Sequence, residues 1–171
     1  RSAGSTISGS VVDSAGRGIY GVGVTAYIDD AGTTWGAITD QNGAYTITGV
    51  PEGEVRIYFW GGNSAYNDGF TGCWYSGKAD RDSADTVTVP SSGIVTGVNA
   101  TLSAGAGITG TIKDASGNGI PTVSVKGFDE SDNLMLAVSD ENGDYRIAGL
   151  KPGKYRVFCD AAMLGYKSIW Y

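Results

Sequence analysis

Three kinds of side chain in this sequence could do chemistry: clustered carboxylates, two thiols and a set of grouped aromatics. Carboxylates gather at Asp29-Asp30, at Asp80, Asp82 and Asp85, and at Asp129, Glu130 and Asp132. Such pairs can act as general acid and base in glycoside hydrolysis, or supply oxygen ligands to calcium. Each cluster lies between strand-like runs, however, where Asp favours turns by bonding its own backbone. The runs Asp40-Gln-Asn-Gly43 and Asp140-Glu-Asn-Gly143 open like a calcium loop but lack the later Glu at the required spacing, so they read as turns. The 171 residues include no histidine. That rules out Ser-His-Asp and Cys-His nucleophiles and histidine-ligated metal centres. The expectation is a chain with no catalytic residue, no metal and no cofactor.

The thiols are Cys73 and Cys159, too few for a structural zinc site. They could form a disulfide, or stay as two small buried apolar side chains. The aromatics number four Trp, ten Tyr and four Phe, and group at Tyr58, Phe59 and Trp60 and again at Tyr66, Phe70, Trp74 and Tyr75. Strand alternation turns Phe59 inward and leaves Tyr58 and Trp60 outward, so Tyr58, Trp60 and Trp74 could stack on a sugar or simply pack. Asn99-Ala-Thr101 is an N-glycosylation sequon that permits a covalent glycan at Asn99.

What must position these residues is a repeat. ISGSVVD at 7–13 returns as ITGTIKD at 108–114, and the likeness runs on through 13–27 against 114–128. It resumes as TDQNGAYTITGVPEGEVRIYFW at 39–60 against SDENGDYRIAGLKPGKYRVFCD at 139–160. The chain is therefore two copies of one module, divided here as 1–103 and 104–171. Within each copy the apolar period is two, as in half-buried strands: Ile7 and Val11, then Val22, Val24 and Ala26, then Val55, Ile57 and Phe59. Turn residues punctuate the strands, and the 28 glycines fit a chain full of them. Asn42-Gly43 and Asn142-Gly143 are the dipeptide of two-residue hairpins with positive φ at both central positions. These features predict an all-β fold of antiparallel sandwiches. A net charge of −6 argues against nucleic-acid binding. No apolar run approaches the roughly 20 residues of a membrane-spanning helix. With no signal peptide and no starting methionine, the chain reads as a mature or excised segment.

The pattern strand, D-x-x-G-x-G/P, strand, T/S-D-x-N-G-x-Y, strand, G-L/V-x-x-G resembles the carboxypeptidase regulatory-like repeats of transthyretin-like fold, found in secreted and surface proteins. The pair TDQNGAY and SDENGDY is the most specific part of the match. The resemblance implies tandem seven-stranded sandwich modules without catalytic residues, located outside the cell or on its surface. Some related surface modules carry a Lys–Asn isopeptide staple. Here Ser10 and Val12 stand where the lysine is wanted, and Lys113 has no last-strand Asn in its own module.

The second copy lacks any counterpart of 76–102 and so its last strand or strands. A sandwich missing a strand exposes unpaired backbone and apolar side chains. Three sources could complete it: a longer array of repeats, a shortened module sufficient in itself, or a segment from another copy. The third makes a head-to-tail homopolymer, a filament or stalk, because a heterologous contact that does not close propagates. Alternating apolar character points to Ile94, Val95, Val98 and Leu102, with Ile7 and Val11, as the assembly interface. The sequence thus predicts a non-catalytic extracellular structural protein with itself as partner. The rival is a carbohydrate-binding or adhesion accessory module of a larger secreted protein. The two cysteines fall at non-equivalent positions of different modules, so a bond between them would tie module to module or subunit to subunit. Asp160 stands where the first copy has Trp60, which argues against a sugar site shared by both.

Overall fold

A computed structural model describes residues 4–28, 32–61 and 69–171. Asp29-Asp30 and Tyr66 lie outside these residues. The fold is all-β, with two short 3-10 turns, Tyr75–Gly77 and Ala162–Leu164, and no α-helix among the described residues. The chain divides into two compact units, Arg1–Ala104 and Gly105–Tyr171.

The first unit contains β1 (Ser5–Asp13), β2 (Gly23–Tyr27), β3 (Thr34–Ile38), β4 (Ala44–Val50), β5 (Gly53–Trp60), β6 (Cys73–Trp74), β7 (Thr86–Val89), β8 (Ile94–Val95) and β9 (Ala100–Leu102). One sheet runs β4-β1-β8, with β9 also on β1; the other runs β3-β2-β5, with β6 and β7 both on β5. Alternation sends one side chain in two toward the space between the sheets. Ile7, Val11, Val24, Ile47, Ile57 and Phe59 fill it, each at most 1% exposed. The pairing is antiparallel except where β8 and β9 run parallel to β1. This departs from the wholly antiparallel expectation. The chain leaves β7 on the β5 sheet and crosses to the other sheet, so the whole module serves as the crossover that a parallel pair requires.

The second unit contains β10 (Ala106–Thr111), β11 (Ser124–Phe128), β12 (Leu134–Val138), β13 (Asp144–Leu150), β14 (Arg156–Asp160) and β15 (Ile169–Trp170). Its sheets are β12-β11-β14-β15 and the pair β10-β13. Registers repeat across the units: Ile7 faces Ile47 and Gly9 faces Tyr45, as Ile108 faces Ile147 and Gly110 faces Tyr145. Nothing among the described residues of this unit corresponds to β7, β8 or β9.

The Asn-Gly turns differ from the two-residue hairpin expected. Only Gly43 and Gly143 have positive φ, at 77° and 79°. Each glycine N–H donates to the carbonyl three residues before it, that of Asp40 or Asp140, and the carboxylate of that Asp closes the loop. The strands on either side, β3 and β4, belong to different sheets, so the turn carries the chain between layers and is no hairpin. The residue before it does further work. Thr39, 1% exposed, accepts from the Val22 N–H at 2.9 Å and donates to the Ile19 carbonyl at 2.6 Å. Ser139 makes the same pair of bonds with Val123 and Ile120. These hydroxyls satisfy backbone groups that the irregular approach to β2 and β11 would otherwise bury unpaired.

Candidate assembly site

Of the six residues expected at an assembly interface, four are interior to the first unit. Ile7 and Val11 are fully buried, Val98 is 2% exposed and Leu102 is 1% exposed. Val95 is half-buried against the same core, and only Ile94 stands out in solvent. The segment 94–102 completes its own module, so these side chains are not a free apolar surface. In the single chain, the apolar alternation that marked the segment as a donor is the alternation of the unit's own last strands.

The way this segment lies on β1 defines the site. Thr6 N–H donates to the Gly93 carbonyl at 2.9 Å, and Val98 N–H to the Ser8 carbonyl at 3.2 Å. Where the segment lifts away between β8 and β9, Gly97 takes φ 76° and the Asn99 side chain substitutes for the missing backbone partner. Asn99 Oδ1 accepts from the Ser10 N–H at 2.9 Å and from its hydroxyl at 3.2 Å. The sequon asparagine is thus exposed but tied by its carbonyl oxygen to the strand where a staple lysine was sought. Val98 passes so close over β1 that a Cβ on Gly9 would stand 1.9 Å from its carbonyl oxygen. That oxygen accepts the buried Tyr45 hydroxyl at 2.6 Å. Burial pushes the Tyr45 phenol well above its ordinary value, which keeps it a donor at every physiological pH.

In the second unit the corresponding edge is bare. β10 pairs with β13 on one side and with no strand on the other among the described residues. Ile108, Ile112 and Tyr145 lie half-buried at the margin of the core, where Ile7, Val11 and Tyr45 are sealed. The Tyr145 hydroxyl lies over Gly110, 2.6 Å from where a Cβ would stand. Thr111, the counterpart of Ser10, donates to the Asp144 carboxylate. An open depression of about 540 Å³ borders Gly110, Thr111 and Tyr145.

The other predicted residues fall elsewhere. Cys73 and Cys159 are half-buried thiols packed in separate units, and no disulfide joins them. Cys159 is pushed up by burial, which disfavours the reactive thiolate. Tyr58, Trp60 and Trp74 do come together on the outer face of the β5 sheet, and Tyr27 joins them. Tyr58 meets Trp60 at 4.8 Å and 84°, and Trp74 at 5.0 Å and 59°; Tyr27 meets Trp74 at 5.5 Å. The rings meet edge to face or tilted and offer no flat platform. Trp60, half exposed, spends its indole N–H on Thr25 Oγ1 at 3.0 Å. The second unit carries the same cluster as Phe128, Phe158 and Trp170, with Trp170 4.8 Å from Phe158. There the Thr25–Trp60 pair becomes Lys126–Asp160, joined at 2.9 Å. The alignment of Tyr27 with Phe128 and of Trp74 with Trp170 was the signal in the sequence for this shared face.

Several carboxylates serve turns. Asp13, Asp40, Asp114, Asp129 and Asp140 each accept, through one oxygen, the N–H groups two and four residues on, at 2.8–3.0 Å. The backbone N–H of Arg17 holds Asp13 below the usual carboxylate range, that of Asn118 does so for Asp114, and the Asn133 amide for Asp129. Asp132 pairs with Arg156, and Asp80 takes the Ser83 N–H at 2.9 Å. Among the described residues no three such groups converge as a metal site would require.

No curated protein matches the chain in sequence. Among solved structures it is similar to the Bacillus anthracis TIE protein, at 15% identity and a TM-score of 0.42, covering 99% of this chain and 31% of that one. It is similar also to a streptococcal ancillary pilin, at 16% identity and a TM-score of 0.42, covering 91% of this chain and 52% of that one. A third is the shaft pilin SpaA from Lactobacillus rhamnosus GG, at 11% identity and a TM-score of 0.38, covering 98% and 93%. The chain thus spans about a third and about half the length of the first two. In sequence, the carboxypeptidase regulatory-like domain matches residues 6–68 and again 107–171. With two matched copies, each folded as its own β unit around the same tyrosine, glycine and turn, the chain belongs to the carboxypeptidase regulatory-like domain family.

Proposed function

We propose that the chain is a non-catalytic structural protein of the cell exterior that assembles head to tail into a filament or stalk by strand complementation. The observation that carries this reading is the unequal fate of one strand in two copies of the module. β1 is covered along its edge by β8 and β9, while β10 has no such cover among the described residues. An open edge offers main-chain hydrogen bonds to another chain, and half-exposed Ile108 and Ile112 would each gain roughly 1 kcal/mol on being sealed. Asp13, Asp40, Asp114, Asp129 and Asp140 are engaged in turns and histidine is absent, which supports a role without catalysis. Because 94–102 is held in the first unit, that bound strand is not itself the donor.

The test is solution mass together with electron microscopy of the wild type and of Thr109→Pro. By equivalence with Ser8, the Thr109 backbone faces the vacant side, so proline there removes an edge donor without breaking the bonds to β13. Filaments of the wild type and monomers of the variant are expected. A wild type that stays monomeric at high concentration would sink the reading.

A further inference from the structure

We propose that the vacant edge of β10 accepts a parallel strand of the same design as 94–102, supplied from outside residues 105–171. This rests on the reading of β10 as an acceptor and specifies what it accepts. The first unit holds such a strand in place, and each contact it makes there has its receiving group in the second.

Four features of the occupant follow from the contacts of 94–102. It runs parallel to its host, as β8 and β9 run parallel to β1. It carries a glycine at the fourth position, where Gly97 takes positive φ and lifts the chain. Its fifth residue is apolar and its carbonyl crosses the host glycine, as Val98 crosses Gly9. Its sixth is an asparagine whose Oδ1 takes the next host N–H, as Asn99 takes that of Ser10. In the second unit the receiving groups are Gly110, the Thr111 N–H and the Tyr145 hydroxyl. Any side chain at position 110 would obstruct a crossing backbone, and none is present. Tyr145 now rests over Gly110. On docking it moves aside to the place Tyr45 occupies and donates to the incoming carbonyl. A ninth residue like Leu102 covers Ile112, as Leu102 shares the core with Val11.

The experiment adds a synthetic peptide of residues 92–103 to the full chain and follows binding and amide hydrogen exchange. One peptide bound per chain is expected, with new protection along β10 and none along β1. The reversed sequence and a Gly97→Val peptide should bind at least tenfold more weakly. Gly110→Val should lose binding at least tenfold, with protection along β11 and β14 unchanged to show that the second unit is folded; Tyr145→Phe should lose about fivefold. Equal binding of the reversed peptide overturns the inference. So does protection at β1, which would mean exchange into the first unit. Filaments that form through β10 pairing with β10 of a second copy, and that ignore the peptide, also overturn it while leaving assembly intact. Peptide protection of β10 in a chain that never polymerises upholds the inference and overturns the assembly reading instead.

Discussion

At the scale of single residues, glycine and tyrosine facing each other across two strands do different work in the two units. Gly9 lies beneath backbone, so Gly9→Ala should cost the first unit about 3 kcal/mol in denaturant unfolding, since a carbonyl cannot step aside as a side chain can. Gly110→Ala meets only the Tyr145 ring and should cost less than about 1 kcal/mol. Tyr45→Phe strands the buried Val98 carbonyl, at a cost of about 1–3 kcal/mol; in Tyr145→Phe, which has no such partner, the change should be within about 0.5 kcal/mol. Thr39→Val keeps the shape and removes both bonds, leaving a buried N–H and a buried carbonyl unpaired. A loss of about 2–4 kcal/mol is expected, and Thr39→Ser should restore most of it.

At the scale of elements, the Asp-headed turns should set the response to acid. Asp13, Asp114 and Asp129 are held as carboxylates more firmly in the fold than in the unfolded chain, where Asp titrates near pH 4. A depressed folded value stabilises above the unfolded one and is lost as pH falls through the folded one. Thermal midpoints should therefore hold steady above about pH 5 and drop below about pH 4, and Asp114→Asn should flatten part of that drop. The turns also show what the sequence could and could not disclose. The repeat and the strand alternation of Val55, Ile57 and Phe59 were legible, because period and self-similarity are local properties. The parallel placement of β8 and β9 was not, since direction depends on how the chain crosses between sheets. For the same reason Asn42-Gly43 looked like a hairpin: a dipeptide reports a preference for φ, not the sheet to which the next strand belongs. Thr39 and Ser139 stood inside the most specific motif, yet their purpose appears only once Val22 and Ile19 are brought to them.

At the scale of the whole chain, the two units differ in how well each is closed. The first has one continuous core from Ile7 to Leu102, whereas the second divides its buried residues between a cluster around Ile147 and a smaller one around Val123. Leu134, Leu136, Val138 and Trp170 are each at least half exposed on the outer sheet of the second unit. Stability follows the apolar surface withdrawn from water, so the second unit should open at lower free energy than the first. Limited proteolysis read by mass spectrometry should cut within 105–171 first, and cuts falling first within β1 or β5 would contradict this ordering.

The locked turns bear on how long such a protein lasts. Asparagine followed by glycine is the pair at which side-chain amides are most easily lost with age, because the next backbone nitrogen attacks the amide carbon. Here the Gly43 and Gly143 nitrogens are engaged with the Asp40 and Asp140 carbonyls, and both glycines are buried. The attacking nitrogen is already committed to a hydrogen bond and shielded from water, so the two links most prone to spontaneous decay should age slowly for as long as each bead stays folded.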